Sequence, residues 1–465
     1  MFRISRFVIE HPIWFTAERF TSSSNFLRNF FIRINEWALQ QAEKYTSEEI
    51  KNLQFRRLRR LIKVAYKEVP FYKKRLNSLG IRPSDIKSIE DFTKISLLNK
   101  AKLQTIPFSE LISYKKSAQR AIQIHTFGTT GRPLKIYYDL WLLARSCAFR
   151  TRKFRWLVSH ENLLKGKNVI YISMLARVDK YAEDFIKVIP VPHFLEYIPQ
   201  ARDKIYELCK KNICVIQANP SLMFKLGELI QRERGTFPLG GIVISGEKLD
   251  SERKKFLQDV FECQVGGAYT NTEAGGSIAQ TCRAGRYHIN SDQCFVEVVD
   301  EDGKNLSFGK IGRIVISNLN NFLMPFIRYD TGDIGSILED RCTCDSPFPI
   351  INFEGRNIAL MRLPGGKIVH QLSCIRLLAR RSEWIRAYKI IRKDTYNFEV
   401  LIEANPHHTA GDIEDLKGEF EKTLGADIRI EFKFVSQIER PDGLRFLPFI
   451  SMASEDKEFE IKEGK

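Results

Sequence analysis

The sequence predicts an α/β protein with a large layered domain and a small α+β domain, on three observations. The first is length: 465 residues exceed one ordinary compact core and leave room for two or three domains. The second is alternation. Short β-rich apolar runs stand at VIYIS (169–173), CVIQA (214–218), GIVIS (241–245), CFVEVV (294–299) and RIVIS (313–317), with helical spacing between several of them, as from Ser251 to Phe261. Such alternation predicts helices layered on a largely parallel sheet. The third is the stretch after Gly355-Arg356, where YKIIR (388–392), NFEVLIEA (397–404) and IRIEFKF (428–434) read as strands of a separate unit.

The N-terminal part reads as helical. Thr46 and Glu49 have capping-box spacing, and Ile50, Leu53, Leu58, Leu61, Ile62 and Ala65 recur at helical intervals until Pro70. The expected organisation is a helical segment over 1–100 packed on the large domain, a large domain over 101–355, and a small mobile domain over 356–465.

Composition is that of a soluble globular chain, 43% apolar and 28% charged. No apolar stretch is long enough to span a membrane. The start, MFRISRFVIEHPIWFTAERF, does not read as a signal peptide, since Glu10 and His11 break its apolar run and no small-residue cleavage site follows; an amphipathic targeting segment is the alternative, against which Glu10 and Glu18 argue. A cytoplasmic protein is expected. Nine cysteines without an export signal argue against a disulfide framework. Net charge is +17, and residues 1–75 carry 16 Lys and Arg against 7 Asp and Glu. No helix-turn-helix, zinc-finger or RNP pattern accompanies that charge, so a nucleic-acid partner is not expected. The basic start is also aromatic, with Phe7, Trp14, Phe15, Phe20, Phe26, Phe30, Phe31 and Trp37. Either it docks on a membrane surface or a partner protein, or its aromatics pack on the large domain under a solvated basic face.

HTFGTTGRPLKI (125–136) sets Gly128 and Gly131 around Thr129 and Thr130, followed by Arg132. Glycines let main chain wrap closely around phosphate; threonine hydroxyls add donors and arginine adds charge. It is not the Walker type, which ends in Gly-Lys-Ser/Thr before a helix. By itself it could equally be an ordinary Gly-Thr turn.

Here a resemblance enters. The segment is similar to the Ser/Thr-rich signature loop of adenylate-forming enzymes, with Thr126, Gly128, Thr129, Thr130, Gly131 and Pro133 matching, Phe127 at a usual serine and Arg132 at the usual lysine. Further motifs follow in the family's order. AYTNTE (268–273) resembles aromatic–Gly–x–Thr–Glu, with Tyr269, Thr272 and Glu273 matching and Thr270 at the usual glycine. RYDTGD (328–333) resembles Tyr-Arg-Thr-Gly-Asp. Gly355-Arg356 resembles the interdomain hinge pair, and ISGEKL (244–249) the loop lining adenine. The segment 65–92, AYKEVPFYKKRLNSLGIRPSDIKSIEDF, resembles the helical signature of phenylacetate–CoA ligases, and RLPGGKIV (362–369) resembles members associated with polysaccharide synthesis. The resemblance covers roughly residues 45–451.

It implies a large adenylate-forming N-terminal domain and a small α+β C-terminal one. It implies nucleotide contacts from Thr126, Gly128, Thr129, Thr130, Gly131, Arg132, Ser245, Gly246, Glu247, Ala268, Tyr269, Thr270, Asp333 and Arg356. Tyr269 would lie against adenine and Asp333 would take the ribose hydroxyls. Thr272 would meet the α-phosphate, and Glu273 would hold magnesium. The implied activity is ATP-dependent activation of a carboxylic acid as acyl-adenylate, then transfer to coenzyme A. Transfer to an amine, hydroxyl or carrier thiol is an alternative. So is a nucleotide-binding protein with impaired catalysis, because IERPDGLRFLPFIS (438–451) places Arg445 where the family has its near-terminal lysine. Asn357, Ile358 and Ala359 also replace acidic residues usual after the hinge.

Cys282 and His288 form one short pair, and Cys342 and Cys344 another. Three thiolates and one imidazole make a tetrahedral zinc set with no open position, hence a structural one. The alternative is ordinary thiols beside a surface histidine. Cys147, Cys209, Cys214, Cys263, Cys294 and Cys374 read as core or surface thiols.

Overall fold

The computed structural model describes residues 25–114, 121–125, 134–158, 169–173, 186–190, 198–210, 214–246, 251–300, 302–356, 360–366, 368–370, 374, 377–378, 381, 384–405, 409–436, 438 and 449–453. The chain divides into two units that meet in sequence between Phe353 and Glu354.

In the first unit, the helix Ser47–Glu68 starts where its sequence predicts. Thr46 Oγ1 accepts from the Glu49 amide at 3.2 Å, and the Glu49 carboxylate accepts from the Thr46 amide at 2.9 Å. The apolar stripe from Ile50 to Ala65 is buried. Pro70, unable to donate, opens the next helix, Pro70–Ser78, at its first turn. The preceding helix, Asn25–Ala42, lies on the helix Leu140–Leu157, where Leu39 packs with Ala148 and Phe149.

Eleven strands form one sheet. β3 (Val169–Ser173), β4 (Ile186–Pro190), β5 (Val215–Ala218), β6 (Gly241–Ser245) and β7 (Val265–Asn271) pair in parallel. The helices Ile198–Cys209, Pro220–Arg234 and Ser251–Phe261 make the crossovers from β4 onward. After β7 come β8 (Gly276–Thr281), β9 (Tyr287–Ile289), β10 (Cys294–Val299), β11 (Gly312–Asn318), β12 (Tyr329–Leu338) and β13 (Ile350–Arg356). Here β8 pairs antiparallel with β7 and with β9, β11 with β10 and with β12, and β13 with β9. The sheet is therefore mixed rather than largely parallel, and CFVEVV and RIVIS lie in its antiparallel half. Connection length explains the difference: residues 272–275 alone join β7 to β8, and a parallel crossover needs a dozen or more residues. A separate hairpin, β1 (Ile122–His125) with β2 (Lys135–Tyr138), flanks the glycine-threonine segment with His125 opposite Lys135.

The second unit has a hairpin, β14 (Leu360–Arg362) with β15 (Ile368–His370), and a four-stranded sheet. In that sheet β16 (Ile385–Arg392) pairs antiparallel with β17 (Asn397–Ala404), β17 parallel with β18 (Arg429–Phe434), and β16 parallel with β19 (Phe449–Ser451). The crossover helix Ala410–Leu424, capped by Thr409, buries Leu416, Phe420 and Leu424 against Phe398, Val400 and Ile402.

Candidate nucleotide site and metal centre

The C-terminal ends of β6 and β7 lie side by side, with Ser245 in register with Ala268. Ligands of α/β sheets bind beyond such ends. Ser245 Oγ accepts from Gln217 Nε2 at 3.1 Å, and Gly246 follows at φ +93°, a conformation suited to glycine. On β7 the register shifts between Tyr269 and Thr270, so the usual glycine position falls at an irregularity of the ladder.

Tyr269 and Asp333, both buried, meet across the sheet. The Tyr269 hydroxyl donates to Asp333 Oδ2 at 2.7 Å, and its ring stacks on Phe353 at 4.8 Å and 17°. The Asp333 amide donates to Thr331 Oγ1 at 3.1 Å, and that hydroxyl donates to the Ile314 carbonyl at 2.8 Å. Upstream, Arg328 at φ +49° is buried against Glu297 at 3.1 Å and donates to main-chain carbonyls of Thr93, Ile95 and Gly303. That anchor fixes the chain entering β12 and so aims Asp333.

Thr272 and Glu273 lie in the turn from β7 to β8. The Tyr138 hydroxyl donates to the Thr272 carbonyl, Asn318 Nδ2 to the Glu273 carbonyl at 2.9 Å, and the Tyr329 hydroxyl to Glu273 Oε1 at 2.7 Å. A single buried carboxylate of set orientation suits magnesium, which usually takes one or two carboxylates and completes its shell with water and substrate phosphate.

The structure thus places Ser245, Ala268, Tyr269, Thr270 and Asp333 on strands of one sheet and Gly246, Thr272 and Glu273 in the turns after β6 and β7, with Tyr269 and Asp333 brought into contact. Thr126, Gly128, Thr129, Thr130, Gly131, Arg132, Glu247 and Arg445 lie outside the described residues. Arg356 ends β13, its side chain likewise outside them. Motif reading alone assigned no role to Tyr138, Asn318, Tyr329 or Phe353. Tyr329 was visible inside RYDTGD; the others have no local signal, because tertiary pairing alone brings them to the site.

The four predicted metal ligands converge: their donor atoms all lie within 4.8 Å of one another. Cys282 Sγ is 3.7 Å from Cys342 Sγ, and Cys344 Sγ is 3.3 Å from His288 Nε2. A tetrahedral zinc ion with Zn–S of about 2.3 Å and Zn–N of about 2.0 Å asks for roughly 3.8 Å and 3.5 Å. The fully buried His288 ring keeps Nδ1 2.8 Å from the Phe348 carbonyl. A carbonyl can only accept, so Nδ1 carries the proton and the Nε2 lone pair faces the sulfurs. Burial, and then the Cys342 and Cys282 thiols, push Cys344 up to about 12. A divalent cation reverses that preference, since a coordinating thiol loses its proton. The residues present fit the ion.

No protein-family model matches the chain. It is 26% identical over 333 residues to a phenylacetate–coenzyme A ligase of Thermus thermophilus, covering 65% of this chain and 69% of the relative. To the phenylacetate–coenzyme A ligase of Aromatoleum evansii it is 24% identical over 412 residues, 84% of this chain and 90% of the relative. The crystal structure of 2-hydroxyisobutyryl-CoA ligase with its acyl-adenylate superposes with a TM-score of 0.71 at 17% identity, over 91% of this chain and 94% of that one. The chain shares the fold of that ligase. Both Asp333 of β12 and Glu273 after β7 accept from a tyrosine hydroxyl, of Tyr269 and Tyr329 respectively.

Proposed function

We propose that the chain is an ATP-dependent acid–CoA ligase. A carboxylate oxygen attacks the ATP α-phosphorus, pyrophosphate leaves, and the thiol of coenzyme A then takes the acyl group and releases AMP. The paired Tyr269–Asp333 and Tyr329–Glu273 contacts, on a sheet shared with acid–CoA ligases, carry this reading. Two of its similar proteins bear the name phenylacetate–coenzyme A ligase.

Each group then has a task. Asp333 accepts the two ribose hydroxyls, as an ionised carboxylate can. Tyr269, fixed on Phe353, presents its ring to adenine. The loop 126–133 wraps the phosphates with main-chain amides, threonine hydroxyls and Arg132. Glu273 holds magnesium, which neutralises phosphate oxygen charge when bound. Arg445 is the closing charge. Zinc on Cys282, His288, Cys342 and Cys344 is structural, since four protein ligands leave no place for substrate. It pins β9 to the segment that leads into β13, and β13 carries Phe353.

A second acceptor class, an amine or hydroxyl of a sugar, is favoured by RLPGGKIV. This segment forms the β14–β15 hairpin around Gly365 at φ +73° and resembles the polysaccharide-associated branch. Docking of the basic aromatic N-terminus on a membrane or protein partner is supported only by composition; no helix among the described residues is long and apolar enough to cross a membrane.

The deciding experiment is acid-dependent exchange of labelled pyrophosphate into ATP over a panel of aryl, fatty, amino and sugar acids. Exchange with one class names the acid, and coenzyme A or an amino sugar then names the acceptor. No exchange with ATP binding intact would sink the ligase in favour of a nucleotide-binding protein. Arg445→Lys should raise exchange if Arg445 stands in the lysine's place; unchanged turnover on a proven acid would remove it from the mechanism.

A further inference from the structure

The turn carrying Glu273 is held at five main-chain atoms by side chains. Three successive carbonyls accept from side chains: Thr272 from Tyr138, Glu273 from Asn318 at 2.9 Å, and Ala274 from Gln293 Nε2 at 2.8 Å. The amides of Glu273 and Ala274 donate to Asn271 Oδ1 at 2.7 and 3.3 Å. Gln293 is itself held by Arg145 at 2.9 Å and Asn320 at 3.1 Å. With the main chain so fixed, the freedom left at Glu273 is side-chain rotation. The Tyr329 hydroxyl, 2.7 Å from Oε1, restrains it.

Tyr329 is well placed to do so. It is 2% exposed, lies edge-on to Phe326 at 5.4 Å and 79°, and pairs in register with Ile316. It shares β12 with Asp333, so one rigid strand addresses both carboxylates. A phenol donating to a carboxylate makes a short, directional, charge-assisted bond. Carboxylates that bind metals are themselves held by such donors.

Resting on the ligase reading above, we propose that Tyr329 is the positioning residue that aims Glu273 at the magnesium of Mg·ATP. It thereby locks the metal in register with the ribose held by Asp333. Tyr329 touches neither substrate nor metal; it acts through Glu273.

The test is Tyr329→Phe, which keeps the buried ring and deletes the donor. Manganese stands in for magnesium, and its binding with ATP to the full chain is followed by water-proton relaxation, alongside ATP binding in EDTA. The expected result is a weakening of manganese in the ternary complex on the order of 10–100-fold, the usual cost of losing a metal ligand's supporting partner. ATP affinity in EDTA and the melting temperature should stay as in wild type, and Glu273→Gln should weaken manganese at least as much. Equal manganese affinity in wild type and Tyr329→Phe overturns the proposal while leaving the ligase reading intact. So does a variant that loses ATP equally with and without metal, which would make the hydroxyl merely structural. A wild type whose ATP binding gains nothing from manganese overturns both.

Discussion

Replacing Cys342 by serine is expected to cost the protein its metal and part of the seating of β13. The cluster joins the start of the β8–β9 connection, through Cys282, and β9, through His288, to the segment after β12, through Cys342 and Cys344. That segment feeds β13, whose Ile350 pairs with His288 and whose Phe353 stacks on Tyr269. Geometry sets the expectation of binding: the 3.7 Å sulfur separation matches tetrahedral zinc and is far too long for a disulfide, which needs about 2.0 Å. Zinc held at about a thousand times its dissociation constant stabilises the fold by roughly 4 kcal/mol. The first unit spans roughly 350 residues, so its unfolding entropy is about 0.7 kcal/mol/K and the loss corresponds to roughly 5–6 °C in melting temperature. The assay is elemental analysis of protein purified without chelator, with thermal melting beside it. Wild type and Cys263→Ser should carry about one equivalent of zinc, and Cys342→Ser under about 0.2, with the lower melting temperature. Wild type that takes up less than about 0.2 equivalents from zinc-supplemented buffer, or Cys342→Ser that retains a full equivalent, would refute the reasoning.

Three further outcomes are expected. Asp333→Asn should weaken ATP and AMP binding by roughly 10–100-fold in calorimetry, the worth of hydrogen bonds to a charged acceptor, while the melting temperature changes little. Asp292→Asn should destabilise by about 3–5 kcal/mol in urea unfolding, because it removes the buried carboxylate charge that faces Arg152 and Arg145 at 2.8 and 3.5 Å and leaves Arg152 to Glu43. Burial raises the Asp292 pKa, but Arg152 and Arg145 outweigh it, and the carboxyl is held below its usual range. Its contribution is therefore complete above the unfolded value of about 3.9 and is lost as pH falls through the folded one, so the gap between wild type and variant should close in acid. Gly335→Ala should cost about 1–3 kcal/mol, since its Cβ would come within 2.3 Å of the Asn352 carbonyl and press β12 from β13, weakening nucleotide binding as Phe353 shifts.

Local patterning was enough to determine much of this protein. The capped helix at Thr46, the apolar strands of the parallel half and the strand NFEVLIEA follow from spacing and chain chemistry within a few residues. The short pairs Cys282/His288 and Cys342/Cys344 were legible as compact sets of metal-ligating side chains, whereas Tyr269, Thr272, Glu273 and Asp333 were named only through resemblance to adenylate-forming motifs. Tertiary structure decided what no local window contains. Strand direction changed after β7 because residues 272–275 are too short a connection for a parallel crossover, and the partners of the later strands are set by the sheet as a whole. The two cysteine pairs needed β13 closing on β9 to become one site. Tyr329 became the partner of Glu273, and Phe353 of Tyr269, only because β12 and β13 lie in the same sheet as β7. Side chains far apart in sequence become neighbours through backbone pairing, and that pairing is a property of the whole sheet rather than of any segment in it.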